Sequence, residues 1–199
     1  MKKLSIVVGL LLASFGVLAQ GTLNFSNGAS GVNAPATDID GTTKLAGAGF
    51  TAALYAGPQG TAWNSLTAIA TSPFATGANA GYFFAGSTAI PGVAAGSIAT
   101  VQIRVWTGAF ATWDAAYAAY LAGNPAAKVG VSGVAAWTGG VGNLPTSTLD
   151  TPALGGGANP TPNMLNLKPF QLYQNVVPEP STIALGVVGA AALLLRRRK

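Results

Sequence analysis

The 199-residue chain contains no cysteine and no histidine. Without cysteine there is no disulfide, no thiolate metal site and no cysteine nucleophile. A folded, exported body would then be held together by burial alone. Without histidine the commonest general base near neutral pH and the commonest metal ligand are both missing. Charge is scarce too. Only 8% of the residues are Asp, Glu, Lys or Arg, about a third of the ordinary share. The formal charge of +5 comes from the ends, where Lys2, Lys3, Arg196, Arg197, Arg198 and Lys199 lie. Between them, Lys44, Arg104, Lys128 and Lys168 offset Asp38, Asp40, Asp114 and Asp150. A nucleic-acid binder needs clustered cations on one face to displace counterions. This nearly neutral interior has no such cluster, so nucleic acid is not an expected partner.

What the chain does have is apolar and small. Half of its residues are hydrophobic and 27 are glycine. That composition is too apolar for charge-driven disorder and fits a compact body with many turns. The segment 20–176 is long enough for one domain with its own core.

The two ends read as targeting segments. The N-terminus is MKKLSIVVGLLLASFGVLAQGT. Lys2 and Lys3 form a short positive region, Leu4 to Leu18 is almost unbroken apolar chain, and Val17-Leu18-Ala19 places small residues before a cut. These are the three parts of a secretory signal peptide over 1–19, with cleavage by signal peptidase between Ala19 and Gln20 after passage through the Sec translocon. At the other end, Ile183 to Leu195 spans about 20 Å as a helix at ~1.5 Å per residue. A bilayer core is roughly 30 Å thick, and Pro178 and Pro180 prevent the helix from extending toward the body. The cations Arg196, Arg197, Arg198 and Lys199 would stop the segment on the cytoplasmic side. The expectation is a short transmembrane helix that holds the chain in the inner membrane only transiently.

Val177-Pro178-Glu179-Pro180-Ser181-Thr182, the apolar run and the arginine cluster together resemble a PEP-CTERM sorting signal, here over 177–199. The resemblance implies a Gram-negative bacterium that makes exopolysaccharide. It also implies exosortase, a multi-pass transpeptidase-like membrane enzyme, as the partner that processes the chain near Pro178, Glu179 and Pro180. Those residues would be recognised as substrate and would do no chemistry. On this reading the hydrophobic run is short because it is a handle for a processing enzyme.

Between the ends the pattern is all-β. Expected strands lie in GTLNFSNG, ending at the turn pair Asn27-Gly28, in Gly49 to Gly57, and in LTAIATSPF. Another runs from Gly81 to Ile90 and ends at Pro91-Gly92. Ser97 to Gly108 is the clearest: Val101, Ile103 and Val105 alternate with Gln102, Arg104 and Trp106. Lys128 to Trp137, a short piece around Thr146 to Leu149, and Leu167 to Asn175 complete the set. One helix interrupts them. Trp113, Tyr117, Tyr120 and Leu121 share a helical face, Thr112 caps the start, Asp114 sits in the first turn, and Gly123 and Pro125 stop it. Short strands separated by Gly and Pro turns point to a β-sandwich, jelly-roll or Ig-like, with one short helix. The body is also similar to small Gly/Ala-rich β proteins that often carry such a tail.

Catalytic patterns are weak. Gly130-Val131-Ser132-Gly133 lacks the second glycine of a nucleophile elbow, because Val134 stands there, and no histidine can activate Ser132. Asp38-Ile39-Asp40-Gly41 opens like a calcium loop but lacks the distal glutamate, so a solvated turn is the simpler reading and calcium the alternative. The four interior aspartates are scattered, which argues against the carboxylate pair of a glycosidase. No cofactor is implied. Trp63, Trp106, Trp113 and Trp137 can either pack a core or stack on sugar. Trp106 is the surface candidate because it shares a face with Gln102 and Arg104. The sequence thus suggests a non-enzymatic protein of the cell surface or extracellular matrix, associated with exopolysaccharide and biofilm. The alternative is a carbohydrate-binding module that uses exposed aromatics.

Overall fold

The computed structural model describes residues 20–132, 149–155 and 161–175, with Gly186 alone in the tail. The signal segment 1–19, the sorting residues 177–180 and the cationic end 196–199 lie outside the described residues. The expected short transmembrane helix lies outside them as well. Among the described residues, no helix is long and apolar enough to cross a membrane.

The body is mostly strand, and one strand organises it. β1 (Gln20–Ser26) and the two-residue β2 (Ala36–Thr37) lead into β3 (Gly47–Pro58), β4 (Thr67–Phe74), β5 (Phe84–Ala94) and β6 (Ser97–Thr107). After the helix α1 (Trp113–Leu121) come β7 (Lys128–Ser132), β8 (Leu149–Gly155), β9 (Phe170–Gln171) and β10 (Tyr173–Gln174). β6 is central. One edge pairs antiparallel with β3, which carries β4 beyond it. The other edge is shared, with Ser97–Val101 pairing with β8 and Ile103–Trp106 with β7. β7 in turn holds β10. β8 passes on to β1 through Leu154 and Gly155, and β1 pairs with β5. β2 and β9 form a separate parallel pair.

Both wings of this eight-stranded sheet feed one core. Leu23, Phe25 and Ile90 from β1 and β5 pack with Leu54, Ile103 and Val105 from β3 and β6, so the sheet folds over itself into a sandwich-like arrangement. Phe25, Phe83 and Phe74 fill its centre. Phe83 lies 4.8 Å from Phe25 in a tilted arrangement and 5.7 Å from Phe74 edge-on, centroid to centroid; both geometries suit the ring quadrupole.

β3 and β6 are covered on both faces, so burial there runs through consecutive residues instead of alternating. Residues 99–106 of β6 are all buried. The even face, expected to be polar and accessible, lies under α1. There Ala53, Trp106, Val129 and Val131 pack against Trp113, Ala116 and Tyr120. The helix begins as its sequence requires: Thr112 is extended and its Oγ1 accepts from the Ala115 N–H, with Asp114 in the first turn. It ends at Gly123, which adopts φ +75°. Its buried face is Trp113, Ala116 and Tyr120, whereas Leu121, assigned to that face from the sequence, is 38% exposed.

One further expectation is corrected. Pro91-Gly92 does not end a strand: β5 continues to Ala94, and the register jumps from Gly21↔Ile90 to Gln20↔Ala94. The pair is absorbed as a bulge at an edge, where a proline costs no ladder hydrogen bond. Of the strand expected around Thr146 to Leu149, residues 146–148 lie outside the described residues, and β8 runs from Leu149 to Gly155. The final strand is present but broken in two at Leu172, with Phe170 and Leu172 buried and Gln171 and Tyr173 half-buried, as the alternation predicted.

Asn27 is more than a turn residue. It is fully buried, and its side chain joins three stretches of chain. Nδ2 donates to Ala34 O (2.8 Å) and Gly81 O (2.9 Å), and Oδ1 accepts from Phe83 N–H (2.7 Å).

Candidate functional site

Trp106, the surface candidate for ligand stacking, is 4% exposed. Its indole N–H donates to Phe110 O at 2.8 Å, and its ring meets Trp113 edge-on at 6.4 Å. It is a packing residue under α1 and offers no ring face to a ligand. A strand with a polar face need not have a wet one: here α1 covers it.

Arg104 lies beside it, 6% exposed. Its Nε donates to Gln102 Oε1 and its Nη2 to Trp63 O, both at 2.7 Å. The guanidinium lies 3.7 Å from the centre of the Tyr55 ring and 5.6 Å from that of Trp113. Burial pulls the Arg104 pKa down, while the nearby Tyr55 and Asp114 act the other way. Burial likewise raises the Tyr55 phenol. The planar fork and its aromatic stacking explain why this position takes arginine and not lysine. These contacts lock the outer face of β3 and β6.

The remaining sequence candidates are also tied into the fold. Ser132 is fully buried and its Oγ donates to Lys168 O at 2.6 Å. Asp38 makes an ion pair with Lys128, whose Nζ lies 2.9 and 2.7 Å from the two carboxylate oxygens. Asp40 turns inward on its own loop. Its Oδ1 accepts from the Thr42 and Thr43 N–H groups, and Oδ2 from Thr43 Oγ1 at 2.5 Å. Those hydrogen bonds, the Thr43 hydroxyl first, hold its carboxyl well below the usual carboxylate range. The two carboxylates thus serve different partners, and no group of three or more metal-ligating side chains gathers among the described residues.

Two surface features lie near this loop. A groove of about 360 Å³ is lined by Pro35, Thr37, Gly41, Pro169, Phe170, Gln171 and Tyr173. Next to it stand two rings the sequence had marked only as part of a strand. Phe84 is 52% exposed. Tyr82 lies 6.3 Å from it with the ring planes only 27° apart. Both rest on Gly28, where an added Cβ would come within 2.7 Å of Tyr82 Cδ1 and 3.1 Å of Phe84 Cε1. The available signal was GYFF, an aromatic run with alternating fates: Phe83 is buried and Phe84 exposed.

The model of the PEP-CTERM protein-sorting motif matches residues 176–199. The tail is a PEP-CTERM sorting motif. The match begins one residue before the boundary read from the sequence and covers the Pro-Glu-Pro triplet, the apolar run and the cationic end. The PEP-CTERM motif makes this an exported protein targeted to exosortase, with that membrane enzyme as its processing partner on the way to the cell surface. Comparison with curated proteins and with solved structures gives no match, so the body is read from its own geometry.

Proposed function

We propose that this is a non-enzymatic protein of the cell surface or extracellular matrix of a Gram-negative bacterium, associated with exopolysaccharide in a biofilm. A signal peptide over residues 1–19 delivers it, the inner membrane holds it transiently, and exosortase releases it from its tail. The observation that carries this reading is the PEP-CTERM motif at 176–199, attached to a body of nearly balanced charge. The engagement of Asp38, Asp40 and Ser132 within the fold supports a body without catalytic machinery. The test is intact mass and fractionation of the native protein beside a Pro178→Ala, Glu179→Ala, Pro180→Ala triple variant. The wild type is expected to start at Gln20, to lack the Arg196–Lys199 end and to leave the membrane fraction. The variant should keep both tail and membrane. If wild type and variant alike keep the tail and stay in the membrane, the sorting account fails.

The second reading, a carbohydrate-binding module, is favoured by the exposed Phe84 beside the half-buried Tyr82. It shifts the stacking candidate from the buried Trp106 to these two rings.

A further inference from the structure

We infer that Tyr82, Phe84 and Lys44 form a binding site for a carboxylate-bearing polysaccharide. The inference rests on the carbohydrate-binding reading and assigns that reading a place and a ligand charge. Four observations converge. The first is the pair of nearly parallel rings, one of them half exposed. An isolated exposed ring needs no explanation, but two aligned rings on a shared glycine seat present a surface suited to the C–H face of a sugar. The second is Gly28 itself. Any side chain there would push into both rings, so the seat depends on the missing Cβ.

The third is charge. Lys44 Nζ stands 5.6 Å from the centre of the Tyr82 ring, within cation–π range. Among the described residues the only ion pair is Lys128 with Asp38, which leaves the exposed Lys44 without a carboxylate partner. Arg104 is buried, so Lys44 is the accessible cation beside an aromatic surface. The fourth is the polar rim. Tyr82 Oη donates to Asn33 Oδ1 at 2.7 Å, which orients the exposed Asn33 amide with its N–H₂ away from the tyrosine, where it can donate to a hydroxyl. The groove continues the surface. Pro35 lines it, and both Pro35 Cβ and Lys44 Cβ lie within 3.4 Å of where a Gly81 Cβ would stand, one residue before Tyr82. A polymer can thus run from the rings past Lys44 toward Thr37 and Gln171. A ring pair, a lone cation and amide donors match a chain of uronate-type sugars better than an apolar protein surface, which would leave Lys44 unpaired.

The test uses the full chain in detergent and isothermal titration calorimetry against alginate, polygalacturonate and hyaluronate, with neutral dextran as control. The wild type is expected to bind at least one acidic polymer more tightly than dextran. Phe84→Ala should weaken that binding by about tenfold, since burying one such ring is worth at least that factor. Lys44→Gln should remove the preference over dextran, and added salt should weaken the wild type in the same way. Both residues are exposed, so circular dichroism should not change. If the wild type binds an acidic polymer and both variants bind it equally well, the site assignment is wrong while carbohydrate binding stands. If the wild type binds none of the polymers, the carbohydrate-binding reading and the site fall together. If Phe84→Ala instead turns a dimer into a monomer, without altering polymer binding, the rings are a self-association surface and the inference is overturned.

Discussion

Replacing Asn27 with alanine tests how the aromatic surface is held. The asparagine makes three hydrogen bonds from a fully buried position. Its removal orphans the Phe83 N–H and the Ala34 carbonyl. Gly81 O is spared, because it also accepts from Ala36 N–H at 2.9 Å. Each buried group left without a partner costs about 1–3 kcal/mol, so Asn27→Ala should destabilise the body by about 2–6 kcal/mol. Against a total stability of roughly 5–15 kcal/mol, that is a large loss. With a urea dependence of roughly 1–3 kcal/mol per molar, the unfolding midpoint should fall by about 1 M or more. Urea titration of the full chain followed by far-ultraviolet circular dichroism reads this directly. Tryptophan fluorescence gives a second probe, since Trp106 and Trp113 lie in the other cluster, under α1. A loss below about 1 kcal/mol would mean that water or a shift of the 27–34 bend replaces the asparagine, and the clamp argument would be refuted.

Three further outcomes are expected. Gly130→Ala places a Cβ 2.7 Å from Gln171 O and 2.9 Å from Leu172 Cδ2, so it should cost about 1–3 kcal/mol by overpacking; an unchanged melting temperature would show that β9 and β10 yield freely. Thr112→Ala removes the hydroxyl that accepts from Ala115 N–H and should cost about 1 kcal/mol, read as a lower urea midpoint with native spectra before the transition. The Asp40 carboxyl is held below its ordinary value of 3.8, so the folded state favours its charged form. Its contribution is present above the ordinary value and is lost as pH falls through the lowered one. The amide resonances of Thr42 and Thr43 should accordingly hold their positions at pH 3, and a titration midpoint near 3.8 would contradict the loop geometry.

How far the sequence predicted the structure depended on how local the signal was. α1 was legible because its cap, first-turn acid and terminal glycine are all local devices, and each acts as its chemistry requires. β6 was legible as a strand but not in its exposure. Arg104 bonds to its near neighbour Gln102 and, across distant sequence, to Trp63 O, and no alternation pattern reports that a helix will cover a polar face. Pro91-Gly92 misled for a related reason: it has the composition of a turn but the neighbours of an edge bulge. The sorting motif was legible because it is a run of linear chain, and the family model matches it at 176–199. The aromatic surface was not, because Tyr82, Phe84, Gly28 and Lys44 meet only through tertiary structure.

The last residues of the body set a short leash. Gln174 Nε2 donates to Pro125 O and Asn175 Nδ2 to Tyr120 O, so the chain is fastened to the end of α1 and its following turn. Only Val176 and Val177 separate that fastening from Pro178. Two residues reach about 7 Å at full extension. An enzyme acting at the Pro-Glu-Pro triplet, where we propose that exosortase processes the chain, would work nearly flush against a folded body, or would first strip off β10, whose pairing with β7 consists of Tyr173↔Val129 and Gln174↔Lys128. Stripping releases Tyr173 and Gln174 as added slack, so a two-residue strand doubles as a reserve of length at the membrane.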